Sequence, residues 1–125
     1  YVRAMPRRRE PDPLALAVGQ RIRQLRESIG LTMEGLAFES ELGSKGHLSN
    51  IERGLVMPTV ATLKVLAERL GVLPLDLVTF PEDDDRQRLV DATRSLPKGT
   101  IRKLLKDCAT PTKPRTRKRA VSPAI

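Results

Sequence analysis

The chain is predicted to be all-α, and three observations lead there. Aromatic residues are only 2% of the 125 positions, so the 39% that are hydrophobic must build their core from Leu, Val, Ile, Ala and Met, a set suited to helices packed on helices. Apolar residues recur at spacings of three and four along successive stretches. Capping residues and glycines punctuate those stretches at helix-length intervals. A chain this long buries one compact core and leaves little for a second, so a single domain with tails is expected.

The elements follow in order. Asp12 is a good N-cap and Pro13 fits a first helical position; Leu14, Val18, Ile22, Leu25 and Ile29 then recur until Gly30, giving a first helix over about residues 13–29. Thr32 can cap a short second helix through Glu39, with Leu36 inward and Ala37 small enough for a close crossing, although Gly35 takes the place of the usual capping-box glutamate. Ser44 caps a third helix that turns Leu48 and Ile51 inward and closes at Gly54. Thr59 caps a fourth, carrying Leu63, Leu66, Ala67 and Leu70 to Gly71. "LPLDLVTF" supplies a short fifth turn whose leucines, Val78 and Phe80 are expected to close the core.

Beyond it, the acids of "PEDDDR" head a sixth helix beginning near residue 83, with Leu89, Ala92 and Leu96 as its stripe. After Pro97 and Gly99, Ile101, Leu104, Leu105 and Cys108 form a stripe at i, i+3, i+4 and i+7 on a seventh. Both stripes need a partner surface, either the domain's own flank or a second subunit, with the last one expected to supply a homodimer contact. The expected organisation is a basic N-terminal arm over 1–12, a helical domain over 13–80, a helical extension over 81–109 and a basic tail over 110–125.

Charge sharpens this division. The net charge of +8 suggests a polyanionic partner, yet residues 13–80 balance seven cations against seven acids. Arg3, Arg7, Arg8 and Arg9 make the N-terminal arm basic, and Lys113, Arg115, Arg117, Lys118 and Arg119 make the tail more so. Both arms are rich in proline and poor in large apolar residues, so disorder in isolation is expected, with non-specific contact to nucleic acid from the tail.

Other chemistries find little support. With one cysteine, Cys108, and one histidine, His47, the chain cannot assemble a disulfide or the usual four-ligand zinc site. The acids of "PEDDDR" are explained by a helix dipole rather than a metal, so no metal or cofactor is expected. "SLPK" at 95–98 satisfies a Ser-x-x-Lys string, but its proline breaks the turn such a nucleophile needs, and no Walker or dinucleotide-binding glycine pattern occurs. Catalysis is not expected. The amino end has no apolar segment after its arginines, and no run approaches a membrane span, so a cytoplasmic, nucleoid-associated location is expected, with the natural start upstream of Tyr1 or at Met5.

One stretch carries the functional signal. "GSKGHLSNIERG", residues 43–54, sets two glycines around Lys45 at the entrance of the third helix, with Ser49, Asn50 and Arg53 one and two turns on. Together with "IRQLRESIGLT", the small Ala37, "PTVATLKVLAERLGV" and the close "LDLV", in this order and spacing, it resembles the Cro and lambda-repressor-like (XRE) DNA-binding family across about residues 16–80. The resemblance implies a five-helix repressor-like domain whose third helix, Ser44 to Arg53, is the recognition helix of the major groove. Physical reasoning agrees: a helix reaches base edges with its amino end or one polar face, and short residues there let the backbone approach phosphates.

On that reading Lys45 and Asn50 are the base-edge candidates, lysine for guanine acceptors and asparagine for adenine. Ser44, His47 and Arg53 are assigned to phosphates, with Thr32 and Met33 near the same strand. Three departures from the family pattern stand out: Met33 replaces a phosphate-gripping glutamine, Gly46 sits where a base-reading side chain is common, and the "ESELGSKG" turn carries one extra residue. Arg21, Arg23 and Arg26 have two readings, a face toward the duplex or a solvated face paired with Glu27.

The expected function is therefore sequence-specific transcriptional regulation in a bacterium or phage, with a homodimer placing two recognition helices on double-stranded DNA. The alternative is a protein-interaction module, antitoxin-like or a regulatory adaptor, that binds a partner chain and touches nucleic acid only through its tail.

Overall fold

Asp12 does begin the first helix: its Oδ2 accepts the Ala15 N–H at 3.1 Å, and Pro13 follows in the first turn. The computed structural model describes residues 10–39 and 45–109, and over these the chain is helical with no strand. The elements are α1 (Pro13–Ser28), α2 (Met33–Glu39), α3 (Lys45–Glu52), α4 (Val60–Leu70), α5 (Pro74–Leu77), α6 (Asp85–Thr93) and α7 (Lys98–Ala109). Thr59 caps α4 by accepting the Thr62 N–H at 3.2 Å, and α4 closes on Gly71. The Asp76 carboxylate accepts the Leu73 N–H at 2.8 Å and so ties down the single turn of α5. Ser44, expected to cap α3, lies outside the described residues. No described helix is long and apolar enough to cross a membrane.

Two compact units divide between Arg94 and Ser95, so α6, expected to belong with α7, falls in the first. The core of that unit is Val18, Ile22 and Leu25 from α1, Leu36 and Ala37 from α2, Leu48 and Ile51 from α3, Leu63, Leu66, Ala67 and Leu70 from α4, and Leu77 from α5. Leu31, Met33, Val56, Val72 and Phe80 pack against it half-buried. Each helix is too short to stand alone, and burying one stripe of each against the others supplies most of their stability.

Several inward assignments fail. Leu14 and Ile29, at the two ends of the α1 pattern, are exposed. Ala15 is buried, and so is Gly19, where small size lets another helix come near. Of the leucines in "LPLDLVTF" only Leu77 is buried; Leu73, Leu75 and Val78 face solvent, because one turn of helix can present only one side to the core.

Arg21 and Arg26 correct the reading of the α1 cations. Neither lies on a solvated face: they are 4% and 7% exposed. Arg21 donates from Nε to the Asp76 carbonyl at 2.8 Å, from Nη1 to Gln24 at 3.2 Å and from Nη2 to Asp91 Oδ1 at 2.6 Å. Only Arg23 follows expectation, exposed and paired with Glu27 at 2.6 Å; that hydrogen bond and charge lower the Glu27 pKa.

The α6 stripe does not pack on the core of its own unit. Leu89 is 60% exposed, Ala92 is exposed, and α6 has no buried residue. The helix is held instead by polar contacts, Asp91 to Arg21 and the Phe80 N–H donated to Gln87 Oε1 at 2.7 Å. The Arg21 hydrogen bond holds the Asp91 carboxyl below its ordinary pKa. Asp84 rather than residue 83 heads the helix, accepting the Gln87 N–H at 2.8 Å.

In the second unit α7 is strongly amphipathic. Its apolar side chains Ile101, Leu104, Leu105 and Cys108 are all exposed. The tail cations Lys113, Arg115, Arg117, Lys118 and Arg119 lie outside the described residues.

Candidate nucleic-acid interface

The geometry of α3 begins with what it buries. Leu48 and Ile51 have no exposed surface, and Glu52 is nearly as deep, so one side of this eight-residue helix is committed to the core. At 100° per residue the opposite side is the line Gly46, Asn50 and Arg53. Gly46 and Arg53 are exposed and Asn50 is half-buried, with His47 exposed and Ser49 half-buried on the flanks. Lys45 opens the helix, but its side chain lies outside the described residues. The outward side is thus a contiguous polar surface with a bare position at its amino end.

What fixes α3 on its support is a feature that sequence reasoning missed. Arg26 holds Glu52 through two parallel bonds, Nε to Oε2 at 2.9 Å and Nη2 to Oε1 at 3.0 Å, and donates from Nη1 to the Leu31 carbonyl at 2.8 Å. One buried guanidinium therefore joins the last residue of α3 to the loop that starts α2. The spacing puts Arg26 on the inner side of α1, four residues after Ile22 and directly after Leu25, but carries no sign of the acid it meets there.

Two glycines complete the support. A Cβ on Gly19 would lie 2.3 Å from the Ile51 carbonyl oxygen, so α1 touches the backbone of α3 there and tolerates no side chain. Gly54 ends α3 with φ of +74°, and a Cβ on it would stand 2.6 Å from Leu16 Cα. Its carbonyl accepts the Asp12 N–H at 3.3 Å, while the Leu55 N–H returns to the Asn50 carbonyl at 2.9 Å. The glycine within the α1 pattern was the available sign of this close approach.

The start of α2 presents Thr32 to solvent, its Oγ1 accepting the Gly35 N–H at 3.0 Å. Met33, assigned to the DNA side, packs its side chain half-buried against the core instead of projecting freely. Among the described residues no group of three or more His, Cys, Asp or Glu is placed to hold a metal ion.

The helix-turn-helix family HTH_3 matches residues 22–78. An uncharacterised HTH-type transcriptional regulator, y4dJ of Sinorhizobium fredii, is 45% identical over 67 residues, spanning 54% of this chain and 84% of the other. The control protein C.BamHI of Bacillus amyloliquefaciens is 37% identical over 68 residues, 54% of this chain and 83% of that one. Among solved structures, the clp gene regulator ClgR of Corynebacterium glutamicum superposes with a TM-score of 0.52 at 26% identity, covering 78% of this chain and 96% of its own.

Proposed function

Because the chain belongs to the helix-turn-helix family HTH_3 and is a DNA-binding transcriptional regulator, we propose that α3 enters the major groove of a specific duplex site and reads base edges there. The observation that carries this reading is the outward line Gly46, Asn50, Arg53 on a helix whose other side is locked by Leu48, Ile51 and the Arg26–Glu52 pair. Asn50 and Lys45 take the base edges. Arg53, His47 and Ser44 take phosphates, and Thr32 at the head of α2 meets the same strand. Gly46 leaves the amino end of the surface bare, so the α3 backbone can approach closely there. Binding is the whole act in this reading, and no catalysis is assigned.

Selection from a random duplex pool should recover a preferred site. On that site Asn50→Ala or Lys45→Ala is expected to cost about 1 to 3 kcal/mol and to relax preference at particular base pairs. An equal loss on every duplex in a competition assay would leave only phosphate contact.

Two copies acting on two half-sites complete the mechanism, paired through the apolar side of α7. Leu104→Asp with Leu105→Asp is then expected to yield a monomer in sedimentation while the circular dichroism of α1 to α5 persists. A wild-type chain that is monomeric both free and on its site would contradict the pairing.

A further inference from the structure

Formal charge is divided unevenly between the two compact units. Tyr1–Arg94 holds 14 Lys and Arg against 14 Asp and Glu, whereas Ser95–Ile125 holds nine against one, so the second unit carries the entire +8. Four of the nine stand on α7: Lys98, Arg102, Lys103 and Lys106, all exposed. At 100° per residue Arg102, Lys103 and Lys106 fall on the side of α7 away from Ile101, Leu104, Leu105 and Cys108, and Lys98 flanks them in the first turn. Asp107 is the single carboxylate side chain in the sequence of this unit, so it can offset the charge of no more than one of the four. In the first unit acids match cations in number, and Arg21, Arg23, Arg26, Arg88 and Arg94 each meet one.

The charge pattern selects the partner. Affinity for duplex DNA grows with the number of phosphates neutralised, and a unit of zero formal charge contributes little of that on its own. Lys98, Arg102 and Lys106 recur every fourth residue, about 6 Å apart along the helix axis. A duplex carries a phosphate charge for about every 1.7 Å of its axis, so such a row spans a length that holds several phosphate charges. A second copy presents the same sign of charge to this side, which leaves the apolar side alone suited to self-pairing.

We propose that the cationic side of α7 is a second DNA-contact surface, gripping backbone phosphates of the duplex whose bases α3 reads. It contributes affinity and no base preference. The inference rests on the DNA-binding reading of α3 but is separable from it by experiment.

The test uses the full chain carrying Lys98→Gln, Arg102→Gln, Lys103→Gln and Lys106→Gln together. Glutamine is close to lysine and arginine in helix propensity, and circular dichroism with the unfolding midpoint checks that α7 persists. Binding to the selected site and to a random duplex is measured across salt concentrations. The slope of log affinity against log salt is expected to fall by about 3 to 4 for each chain bound, with the preference for the selected site unchanged. A companion chain with Lys98→Arg, Arg102→Lys, Lys103→Arg and Lys106→Arg should keep the wild-type slope. Deleting residues 112–125 should lower the slope separately by at most about 4 to 5 for each chain bound, the limit for five tail cations. An unchanged slope in the glutamine chain overturns the proposal while leaving α3 as the reader. So does a loss confined to the selected site, or a slope that drops equally in the charge-keeping chain. A wild-type chain that prefers no duplex sequence would instead refute the reading of α3 itself.

Discussion

Glu52→Ala is expected to destabilise the first unit by about 3 to 5 kcal/mol, because it leaves the buried Arg26 guanidinium without its carboxylate. The loss is large because Arg26 is 7% exposed and cannot turn to water for the missing bonds. Arg26→Lys should fail to compensate, since an ammonium cannot make the two parallel bonds to Glu52 and also reach the Leu31 carbonyl. Arg26→Met with Glu52→Leu should recover most of the stability, as no charge is then left buried. That double variant should still bind its site less well than wild type, because the polar tie from the end of α3 to the loop before α2 is then gone. Urea unfolding of the four chains measures the effect; a cost below about 1 kcal/mol for Glu52→Ala would show that water reaches the pair.

Gly54→Ala combines two penalties and is the second large effect. At φ of +74° a side chain costs about 1 to 2 kcal/mol, and the new Cβ would lie 2.6 Å from Leu16 Cα, where relief requires α1 to move at an overpacking cost of about 1 to 3 kcal/mol. Gly71→Ala separates the two, for Gly71 has φ of +71° and a Cβ added there would meet nothing within 4 Å. Gly71→Ala should therefore show the conformational penalty alone, and the difference between the two variants in thermal or urea unfolding measures the contact of α3 with α1. Equal losses would mean that the close approach is readily relieved.

The parts of the fold that were legible in the sequence are those set locally. Asp12, Thr32 and Thr59 each receive the backbone N–H their positions imply, because a cap is decided within four residues. The outward side of α3 was legible too, since Leu48 and Ile51 settle which way an eight-residue helix turns. The buried arginines were not. Arg26 meets an acid 26 residues away and Arg21 one 70 residues away, and no local pattern signals a charge whose neutralising partner lies on another helix. For the same reason α6 misled: its apolar stripe is the stronger periodic signal, yet Asp91 and Gln87 attach it.

Arg21 also determines how much of this chain must be kept together. Its guanidinium is buried among α1, α5 and α6, and its carboxylate partner stands 13 residues beyond the last position of the family match. A fragment that kept α1 whole but stopped at residue 78, the last matched position, would retain the cation and discard the anion, as would a fusion that replaced everything after Phe80. A piece that keeps this pair together with the whole of α1 runs from the Asp12 cap through Asp91 to the end of α6 at Thr93.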